Sequence, residues 1–331
     1  MKISHYLEFE ESSIGGIRQS VKNQRKAMRK EGIEYVTSPS RNADLWHINF
    51  PGPLSLLYAV LANLIGKTLI INVHMTREDF QESFRFSNIL STPLYFYLKF
   101  FYSRADLLIT PSEYTGDLMK NEYGFSDTSV RVLTNGVDVS KLQNLESYRE
   151  EARDKYDLDG DVVFCVGTVF ERKGVKDFVR TAEKFPDKEF VWFGKVFDEH
   201  VVGSEARDAI NNPPENVKFT GYVDNIRHAF AAGDVFFYPT KTENQGIPAL
   251  EAAYCHKPIV MRDIPAFEED FENGENCLKG DCIEEFKEAV DRVIEDQELS
   301  RKIIGNAKSM VENHTLDAVG RQLRQIYQKF D

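Results

Sequence analysis

The sequence predicts an α/β protein with two doubly wound domains, each a mainly parallel sheet between layers of helices. The chain has 331 residues, more than one hydrophobic core usually organises, since domains commonly contain about 100 to 200 residues. Short, nearly continuous apolar runs alternate with segments of helical length, as expected for parallel strands buried on both faces. These runs are residues 44–50, 68–73, 107–110, 162–166, 190–193, 217–219, 235–238 and 258–261.

The domain boundary is predicted near residue 140, within several positions. Asn135-Gly136-Val137-Asp138 is followed by a polar, acidic segment, and the alternation of strands and helices resumes only at Asp161. The predicted domains are residues 1–140 and 141–331, with a final helix near 315–331 that is able to pack back on the first domain. A ligand-binding cleft is expected between two domains of this kind.

Composition and charge indicate a globular enzyme of the cytoplasm. The net charge is −12, but residues 1–140 carry 15 basic and 15 acidic side chains, so the excess lies in the remaining 26 basic and 38 acidic residues. The four cysteines match neither a zinc ribbon nor a CxxC pair, and no secretory signal follows Met1. The apolar stretches 53–66 and 89–102 are shorter than the about 20 residues that a spanning helix needs.

The segment 243–251 predicts a ligand site. Gly246 lets the backbone approach a ligand, and Pro248 suits the start of a helix, whose free N–H groups bind phosphate or sugar oxygens. Glu243 is expected in the loop and Glu251 in the first helical turn, where they would hold two ends of one ligand. The alternative is a solvated loop residue and a charge at a helix N-terminus.

A second candidate site lies between the apolar run 162–166 and the next helix. Gly167 and Thr168 open this turn, and Arg172 and Lys173 close it. Two cations at such a turn can neutralise a departing diphosphate without a metal ion. No DxD-type acidic pair follows a predicted strand, so neither a metal nor a cofactor is expected. Taken alone, the same residues also fit two solvated surface cations.

Two further candidates lie in the first domain. Gly15 and Gly16, after Ser12-Ser13-Ile14 and before a helix expected to begin near Arg18, could turn backbone N–H groups toward phosphates. His74 follows the run 68–73, at the strand end where open α/β sheets bind ligands. A plain loop and a structural histidine are the alternatives.

In their order, these residues resemble glycosyltransferase family 4, whose GT-B fold consists of two facing Rossmann-like domains. The resemblance covers nearly the whole chain. It is carried by the Gly-Gly loop (Gly15, Gly16), His74, Pro111-Ser112-Glu113-Tyr114, Asn135-Gly136-Val137-Asp138, the Arg172-Lys173-Gly174 turn and the two glutamates spaced as E-x7-E (Glu243, Glu251).

The resemblance implies a retaining, metal-independent hexosyltransferase that uses a nucleotide-diphosphate sugar, with UDP-glucose or UDP-galactose expected. Front-face displacement, in which the leaving phosphate oxygen takes the acceptor's proton, would need no protein nucleophile. The implied catalytic residues are His74, Glu243, Lys173 and Arg172. The implied donor-binding residues are Gly15, Gly16, Asn135, Gly167, Thr168, Arg172, Lys173, Glu243, Gly246, Ile247, Pro248 and Glu251.

The resemblance also implies which part of the donor each of these groups of residues contacts. Glu243 and the backbone of residues 246–248 would hold the sugar, and Glu251 the ribose hydroxyls. The two cations would hold the diphosphate. Family members typically carry an arginine directly after the glycine that corresponds to Gly167. This chain has Thr168 there, and Arg172 is the candidate replacement for that charge.

The expected acceptor is a membrane lipid. Residues 74–88 and the Glu-Asn-Gln-Gly form of residues 243–246 are similar to the subgroup that glycosylates diacylglycerol or glycosyl-lipids. Aromatic residues crowd 93–102, and rings with flanking cations favour the membrane interface. Basic residues recur along one helix face, which suits an anionic surface; they are Arg18, Lys22, Arg25, Lys26, Arg29 and Lys30.

Several alternatives to this assignment follow from the same residues. A basic helix face can simply be solvated, and an aromatic helix can belong to the core. The acceptor could be a polysaccharide or another soluble glycan. An epimerase, a hydrolase or a catalytically silent nucleotide-binding protein could share the architecture. No nucleic-acid partner is expected.

Overall fold

The computed structural model describes residues 1–11, 15–81, 87–197 and 203–330, without the side chains of residues 204 and 205. The chain forms two compact units. The first unit comprises Met1–Phe80, Asn88–Val137 and Asn313–Asp331, and the second comprises Gln81–Ser87 and Asp138–Glu312. The last segment of the chain therefore belongs to the first unit.

The first unit is built on a six-stranded sheet in which all paired strands are parallel. Its order is β2-β1-β3-β4-β5-β6, so the direction of winding reverses between β1 and β3. In open sheets of this kind, ligands bind beyond the carboxyl ends of the strands near that reversal. The strands are β1 (Lys2–Tyr6), β2 (Glu34–Val36), β3 (Leu45–Ile48), β4 (Thr68–Asn72), β5 (Leu107–Thr110) and β6 (Val130–Val132).

Helices connect these strands and cover both faces of the sheet. Strand β4 shows why, because Leu69 and Ile71 are buried in the core on one face and Ile70 in the core on the other. A strand that is apolar on both sides needs a helical layer on each. The connecting helices are α1 (Gly16–Lys30), α2 (Pro53–Leu64), α3 (Arg77–Phe80), α4 (Ser87–Tyr102) and α5 (Glu113–Asn121).

The second unit contains a six-stranded sheet with order β12-β11-β10-β7-β8-β9, and its paired strands are also parallel. Its winding reverses between β10 and β7. The strands are β7 (Val162–Val166), β8 (Glu189–Phe193), β9 (Val217–Gly221), β10 (Val235–Tyr238), β11 (Ile259–Arg262) and β12 (Leu278–Gly280).

Helices also separate the strands of the second unit. Among them, α10 follows β10 and begins at the turn that contains Gly246. The helices are α6 (Arg149–Tyr156), α7 (Val175–Ala182), α8 (Ser204–Asn211), α9 (Ile226–Ala232), α10 (Ile247–Tyr254), α11 (Ile283–Glu295) and α12 (Gln297–Val311).

The last helix, α13 (Leu316–Tyr327), packs against α1 in the first unit. The helices are so close at Gly320 that a Cβ atom there would lie 3.0 Å from Ala27 O. Tyr327 is fully buried, and its hydroxyl lies 2.7 Å from His47 Nδ1. Helix α13 therefore completes one of the two cores of the first unit.

All eight predicted strands are present, as β3, β4, β5 and β7 to β11. Strands β1, β2, β6 and β12 were not predicted. The last three have three residues each, too few for a pattern. In β1, Ser4 and His5 are buried polar residues. Because they interrupt the apolar sequence, this central strand does not appear as an apolar run. Helix α1 begins at Gly16, two residues before the Arg18 near which its start was predicted.

No helix within the described part of the chain is both long and apolar enough to cross a membrane.

Candidate active site

The turn between β10 and α10 places Glu243 near the carboxyl end of the second sheet. Gly246 ends this turn with a φ of 84°, a left-handed conformation that favours glycine. A Cβ atom there would also lie 2.8 Å from the Phe267 ring. Pro248 is the second residue of α10, where its missing N–H breaks no helical hydrogen bond. The local sequence thus fixes both the turn and the start of the helix.

The Glu243 side chain is buried among donors. Lys173 forms an ion pair with Oε1, the Tyr238 hydroxyl donates to the same oxygen, and Thr240 Oγ1 lies 3.4 Å from it. Burial alone would raise the pKa of Glu243, but the positive charges of Lys173 and Arg172, together with the hydrogen bonds from Lys173 and Tyr238, outweigh burial and the pKa is lowered. Glu243 is therefore an ionised, oriented carboxylate at neutral pH.

Arg172 and Lys173 lie in a 3-10 turn, Glu171–Lys173, directly before α7. The Arg172 guanidinium donates to a main-chain oxygen of the Glu243 loop at 3.1 Å, and a main-chain N–H of that loop donates to Arg172 O at 2.8 Å. Gly174 follows with a φ of 76°. The structure thus joins two motifs that lie 70 residues apart in the sequence.

The backbone before this turn is also held in place. The Trp192 indole N–H donates to Gly167 O at 2.8 Å. Gly194 packs so closely on Gly167 that a Cβ atom on Gly194 would lie 1.7 Å from the same oxygen. Thr168 is half-buried in this loop. The backbone of this loop is therefore held by close packing on both Trp192 and Gly194.

Glu251 has different neighbours from Glu243. It is the fifth residue of α10, so the prediction that it lies in the first helical turn is wrong. Burial is the main reason that the pKa of Glu251 is raised to about 7, while Lys141 lowers the pKa and Asp138 raises it by a smaller amount. The two glutamates of the motif therefore have different electrostatic environments.

His74 follows β4 in the first unit and is buried. Burial lowers its pKa to about 4. The imidazole is consequently neutral at physiological pH, when it is able to donate and accept a hydrogen bond without bringing a charge to the site.

A buried polar network lies beside His74. Asn72, two residues earlier on β4, donates to Gln24 Oε1 at 2.9 Å and to Asn49 Oδ1 at 2.5 Å. Gln24 Oε1 is also 3.1 Å from His5 Nε2. Because buried polar groups are costly unless they are hydrogen-bonded, the network fixes α1 against the strands that carry its other members.

Gly15 and Gly16 form the start of α1. Gly15 has a φ of 99° and precedes the helix, and Gly16 is its first residue. Residues 12–14, the earlier part of this motif, lie outside the described residues.

Asn135 is held in the first unit by α1. Its Oδ1 accepts a hydrogen bond from Ser20 Oγ at 2.6 Å, and Asn23 Nδ2 donates to Gly136 O at 2.6 Å. The structure thus gives Asn135 a local role in securing α1. Its predicted contact with the donor stays a prediction.

The cationic face predicted on α1 is interrupted at Arg25. This side chain is buried, forms an ion pair with Glu10 at 2.5 Å and donates to His5 O at 2.8 Å. Arg25 is therefore not available to a membrane surface, and that part of the prediction is wrong. Lys22, Arg29 and Lys30 are exposed, and Arg18 and Lys26 are half-buried.

Sequence comparison identifies the family. Residues 148–310 match the model for glycosyl transferases group 1, and residues 25–141 match the model for Glycosyltransferase Family 4. The processive diacylglycerol alpha-glucosyltransferase of Acholeplasma laidlawii is 32% identical, with 95% of this chain and 93% of that protein covered. The chain belongs to glycosyltransferase family 4.

A second relative of this glycosyltransferase is the alpha-galactosylglucosyldiacylglycerol synthase of Streptococcus pneumoniae. It is 28% identical, and the match covers 71% of this chain and 63% of that protein. Both relatives transfer sugars to diacylglycerol-type lipids according to their names.

Solved structures show the same fold. Anabaena HepE, crystallised with UDP and glucose, matches with a TM-score of 0.80 and 16% identity over 99% of both chains. Sucrose-phosphate synthase from Thermosynechococcus elongatus matches with a TM-score of 0.81 and 16% identity, over 99% of this chain and 98% of that one. The predicted GT-B fold of the glycosyltransferase is confirmed.

The structure adds residues that the sequence analysis did not assign to the site. Tyr238 and Thr240 contact Glu243, and Asp138 and Lys141 influence Glu251. Tyr238 is the last residue of a strand whose sequence is apolar throughout. A polar role for its hydroxyl was therefore not predicted. Within the described residues, no group of three or more His, Cys, Asp or Glu side chains is arranged to hold a metal ion.

Proposed function

We propose that this family 4 glycosyltransferase moves a hexose, with retention of configuration, from UDP-glucose or UDP-galactose to a diacylglycerol or glycosyl-lipid acceptor. The observation that carries the proposal is the 32% identity, over 95% of the chain, to a processive diacylglycerol alpha-glucosyltransferase. A second lipid-modifying relative supports the same acceptor class.

The geometry of the second unit supports a nucleotide-diphosphate sugar as donor. Lys173 and Arg172 supply two positive charges beside the Gly246 turn and the start of α10. A diphosphate suits such a position, because cations and free helical N–H groups both favour an anion. In this assignment Glu243 and the backbone of residues 246–248 hold the sugar, Glu251 the ribose, and Gly167 and Thr168 border the diphosphate.

The proposed reaction needs no metal ion, cofactor or protein nucleophile. The bond between the anomeric carbon and the diphosphate breaks while the acceptor hydroxyl bonds to that carbon on the same face. The departing phosphate oxygen takes the acceptor's proton. Lys173 and Arg172 stabilise the charge that develops on the diphosphate. In the first unit, neutral His74 hydrogen-bonds the sugar, and the Gly15-Gly16 turn contributes backbone donors.

A membrane-binding surface is proposed on α2 and α4. Large apolar side chains project from both helices into solvent, with Leu64 78% exposed and Phe96 64% exposed. The Arg104 guanidinium lies 4.7 Å from the centre of the Phe100 ring, and aromatic side chains with flanking cations favour the membrane interface. The α2–α4 surface consists of Leu54, Leu57, Leu64, Ile89, Leu90, Phe96 and Phe100.

The α2–α4 surface is a stronger candidate than the cations of α1. Ala27 and Met28 of α1 belong to the core on one face of the first sheet, and Leu98 and Phe101 of α4 belong to the core on the other. The two predicted membrane contacts therefore lie on opposite faces of one sheet. We propose that the α2–α4 surface makes the main contact with the bilayer and that the protein associates peripherally with an anionic membrane.

The function is tested by offering radiolabelled UDP- and GDP-sugars with mixed membrane lipids and measuring label in the organic phase. We expect label from UDP-glucose or UDP-galactose. Glu243→Ala should lower it by about 100-fold or more, since a charged contact to the transferred sugar is lost. Glu288→Ala, which changes an exposed acid on α11, is the matched control. Transfer only to water-soluble glycans, or full activity of Glu243→Ala, would overturn the proposal.

A further inference from the structure

The hydrogen bonds between described side chains and the Glu243 carboxylate are concentrated on one of its two oxygens. The hydrogen bonds that described side chains donate to it, from Lys173, Tyr238 and Thr240, all end on Oε1. Oε2 receives none of these three. Oε1 is therefore hydrogen-bonded to the protein, and Oε2 is the oxygen that is able to contact a ligand.

Tyr238 is a donor whose ring is fixed by packing. It is the last residue of β10 and only 1% exposed, and its ring packs against Phe236 and Phe267 with centroids 5.4 and 6.0 Å away. A buried ring of this kind has little rotational freedom, so the hydroxyl has a defined position. Thr240 is farther from the carboxylate, at 3.4 Å.

The Tyr238 hydroxyl also connects the two charged residues of the site. Lys173 Nζ lies 3.3 Å from the hydroxyl oxygen and 5.7 Å from the centre of the ring. The hydroxyl is therefore able to accept a hydrogen bond from Lys173 while it donates one to Glu243. A phenylalanine at this position would keep the ring packing and lose both hydrogen bonds.

A second donor to Glu243 becomes important when Lys173 engages phosphate. The ammonium group then divides its hydrogen bonds between the carboxylate and the diphosphate. A buried carboxylate whose counter-charge is partly withdrawn becomes costly unless other donors remain. Tyr238 is such a donor, and β10 keeps it in place whether or not Lys173 moves.

We propose that Tyr238 is a positioning residue, which directs Glu243 Oε2 toward the donor sugar and keeps Glu243 ionised while Lys173 binds the diphosphate. The proposal rests on the proposed function, because it takes the ligand to be a nucleotide-diphosphate sugar. Tyr238 acts through Glu243 and is not assigned a contact with the substrate.

The pH dependence follows from the groups that face Glu243. These are Lys173 and Arg172 from the turn before α7, Cys165 from β7, and Tyr238. Burial raises the pKa values of Cys165 and Tyr238 well above their usual values, so neither ionises near neutral pH. The hydrogen bond from Tyr238 is among the influences that lower the pKa of Glu243, and its removal should raise that pKa.

The experiment compares wild type, Tyr238→Phe, Glu243→Gln and the double variant, with the identified UDP-sugar varied from pH 3.5 to 8, so that the range includes the lowered pKa of Glu243. We expect Tyr238→Phe to lower kcat/KM for the donor by about 10- to 100-fold, the effect of one hydrogen bond to a charged group. The acid limb that belongs to Glu243, which lies below the limb of Glu251 near pH 7, should move to higher pH. In the Glu243→Gln background the added loss should be threefold or less, about the limit of additivity error.

Tyr327→Phe is the control for loss of a buried hydroxyl, because Tyr327 lies in the first unit and bonds His47. It should lower thermal stability and leave the acid limb at the wild-type pH. An unshifted acid limb in Tyr238→Phe, or an undiminished loss in the Glu243→Gln background, would overturn the role of Tyr238 while the proposed function stood. A wild type without sugar transfer would overturn both.

Discussion

At the scale of single residues, the two glutamates of one short motif have opposite electrostatic properties. The pKa of Glu243 is lowered, because Lys173 and Arg172 outweigh its burial. The pKa of Glu251 is raised to about 7, mainly by burial. Glu251 therefore changes its charge within the physiological range, and Glu243 does not.

The affinity for UDP-glucose should consequently depend on the charge of Glu251. A carboxylate accepts hydrogen bonds from both ribose hydroxyls, whereas the protonated form has a donor in place of one acceptor. The pKa of Glu251 is about 7, so affinity should fall as the pH drops through 7. The dissociation constant, measured by calorimetry without acceptor, should rise up to about 10-fold between pH 8 and pH 6, as one unit of pH below the pKa implies.

Glu251→Gln is the control for this titration. This variant should bind UDP-glucose more weakly than wild type at pH 8. Its own dissociation constant should be the same at pH 6 as at pH 8. A variant that kept the wild-type pH dependence would show that another group titrates, and Glu251 would lose its assignment to the ribose.

At the scale of elements, α4 combines two environments in one helix. Leu98, Phe101 and Tyr102 are fully buried, whereas Phe96 and Phe100 are 64% and 50% exposed. From the sequence, the buried and the exposed side chains of this helix look alike. Core packing explains the first group and leaves the second unexplained, so the second is where binding to a bilayer should be tested.

Phe96→Ser with Phe100→Ser should weaken binding to anionic vesicles by about 10- to 100-fold, the loss expected when two partly inserted rings no longer enter the interface. Flotation with vesicles at low salt measures it. Because both side chains are exposed, the melting temperature should change little. Tyr222→Ser, which changes a 66% exposed aromatic residue in the second unit, is the matched control.

The competing site is tested in the same assay. Lys22→Ser with Arg29→Ser removes two exposed cations of α1 and should have a smaller effect than the α4 changes. If the α1 variant lost most binding and the α4 variant none, the membrane contact would belong to α1.

The contact of α13 with α1 allows a test of stability at two glycines. At Gly320 a Cβ atom would meet Ala27 O at 3.0 Å, whereas at Gly305, an exposed residue of α12, nothing lies within 4 Å. Alanine is preferred over glycine in helices by about 1 kcal/mol, and overpacking costs about 1 to 3 kcal/mol. Gly305→Ala should therefore raise the melting temperature by about 2 to 4 °C.

The melting temperature of Gly320→Ala should be lower than that of Gly305→Ala by about 2 to 4 °C or more. The reason is that α1 and α13 must separate to admit the methyl group. Equal melting temperatures for the two variants would mean that the helices yield at Gly320 without cost.

At the scale of the whole molecule, the sequence predicted the strands that are apolar throughout and the family that their order indicates. Residues 162–166 and 235–238 form strands with those bounds, because parallel strands buried on both faces leave a strong hydropathic signal. The family assignment succeeded because several weak motifs occur in one order.

Contacts between distant segments could not be predicted in the same way. Arg25 fits the spacing of a cationic face, and its burial depends on Glu10 and on the carbonyl group of His5. The Tyr238 hydroxyl similarly finds Glu243 only after β10 and the following turn have formed. Periodicity describes which face a residue occupies, and these partners depend on what later packs against that face.

The position of α13 has a consequence for synthesis on the ribosome. Buried residues of α13, such as Leu316 and Leu323, belong to a core whose other buried residues all come from the first half of the chain, such as Ile3 and Ile70. A nascent chain that has just completed α12 therefore still lacks one wall of its earliest sheet. The unit that is translated first closes last, and until residue 327 emerges its uncovered apolar face is a target for chaperones and for aggregation.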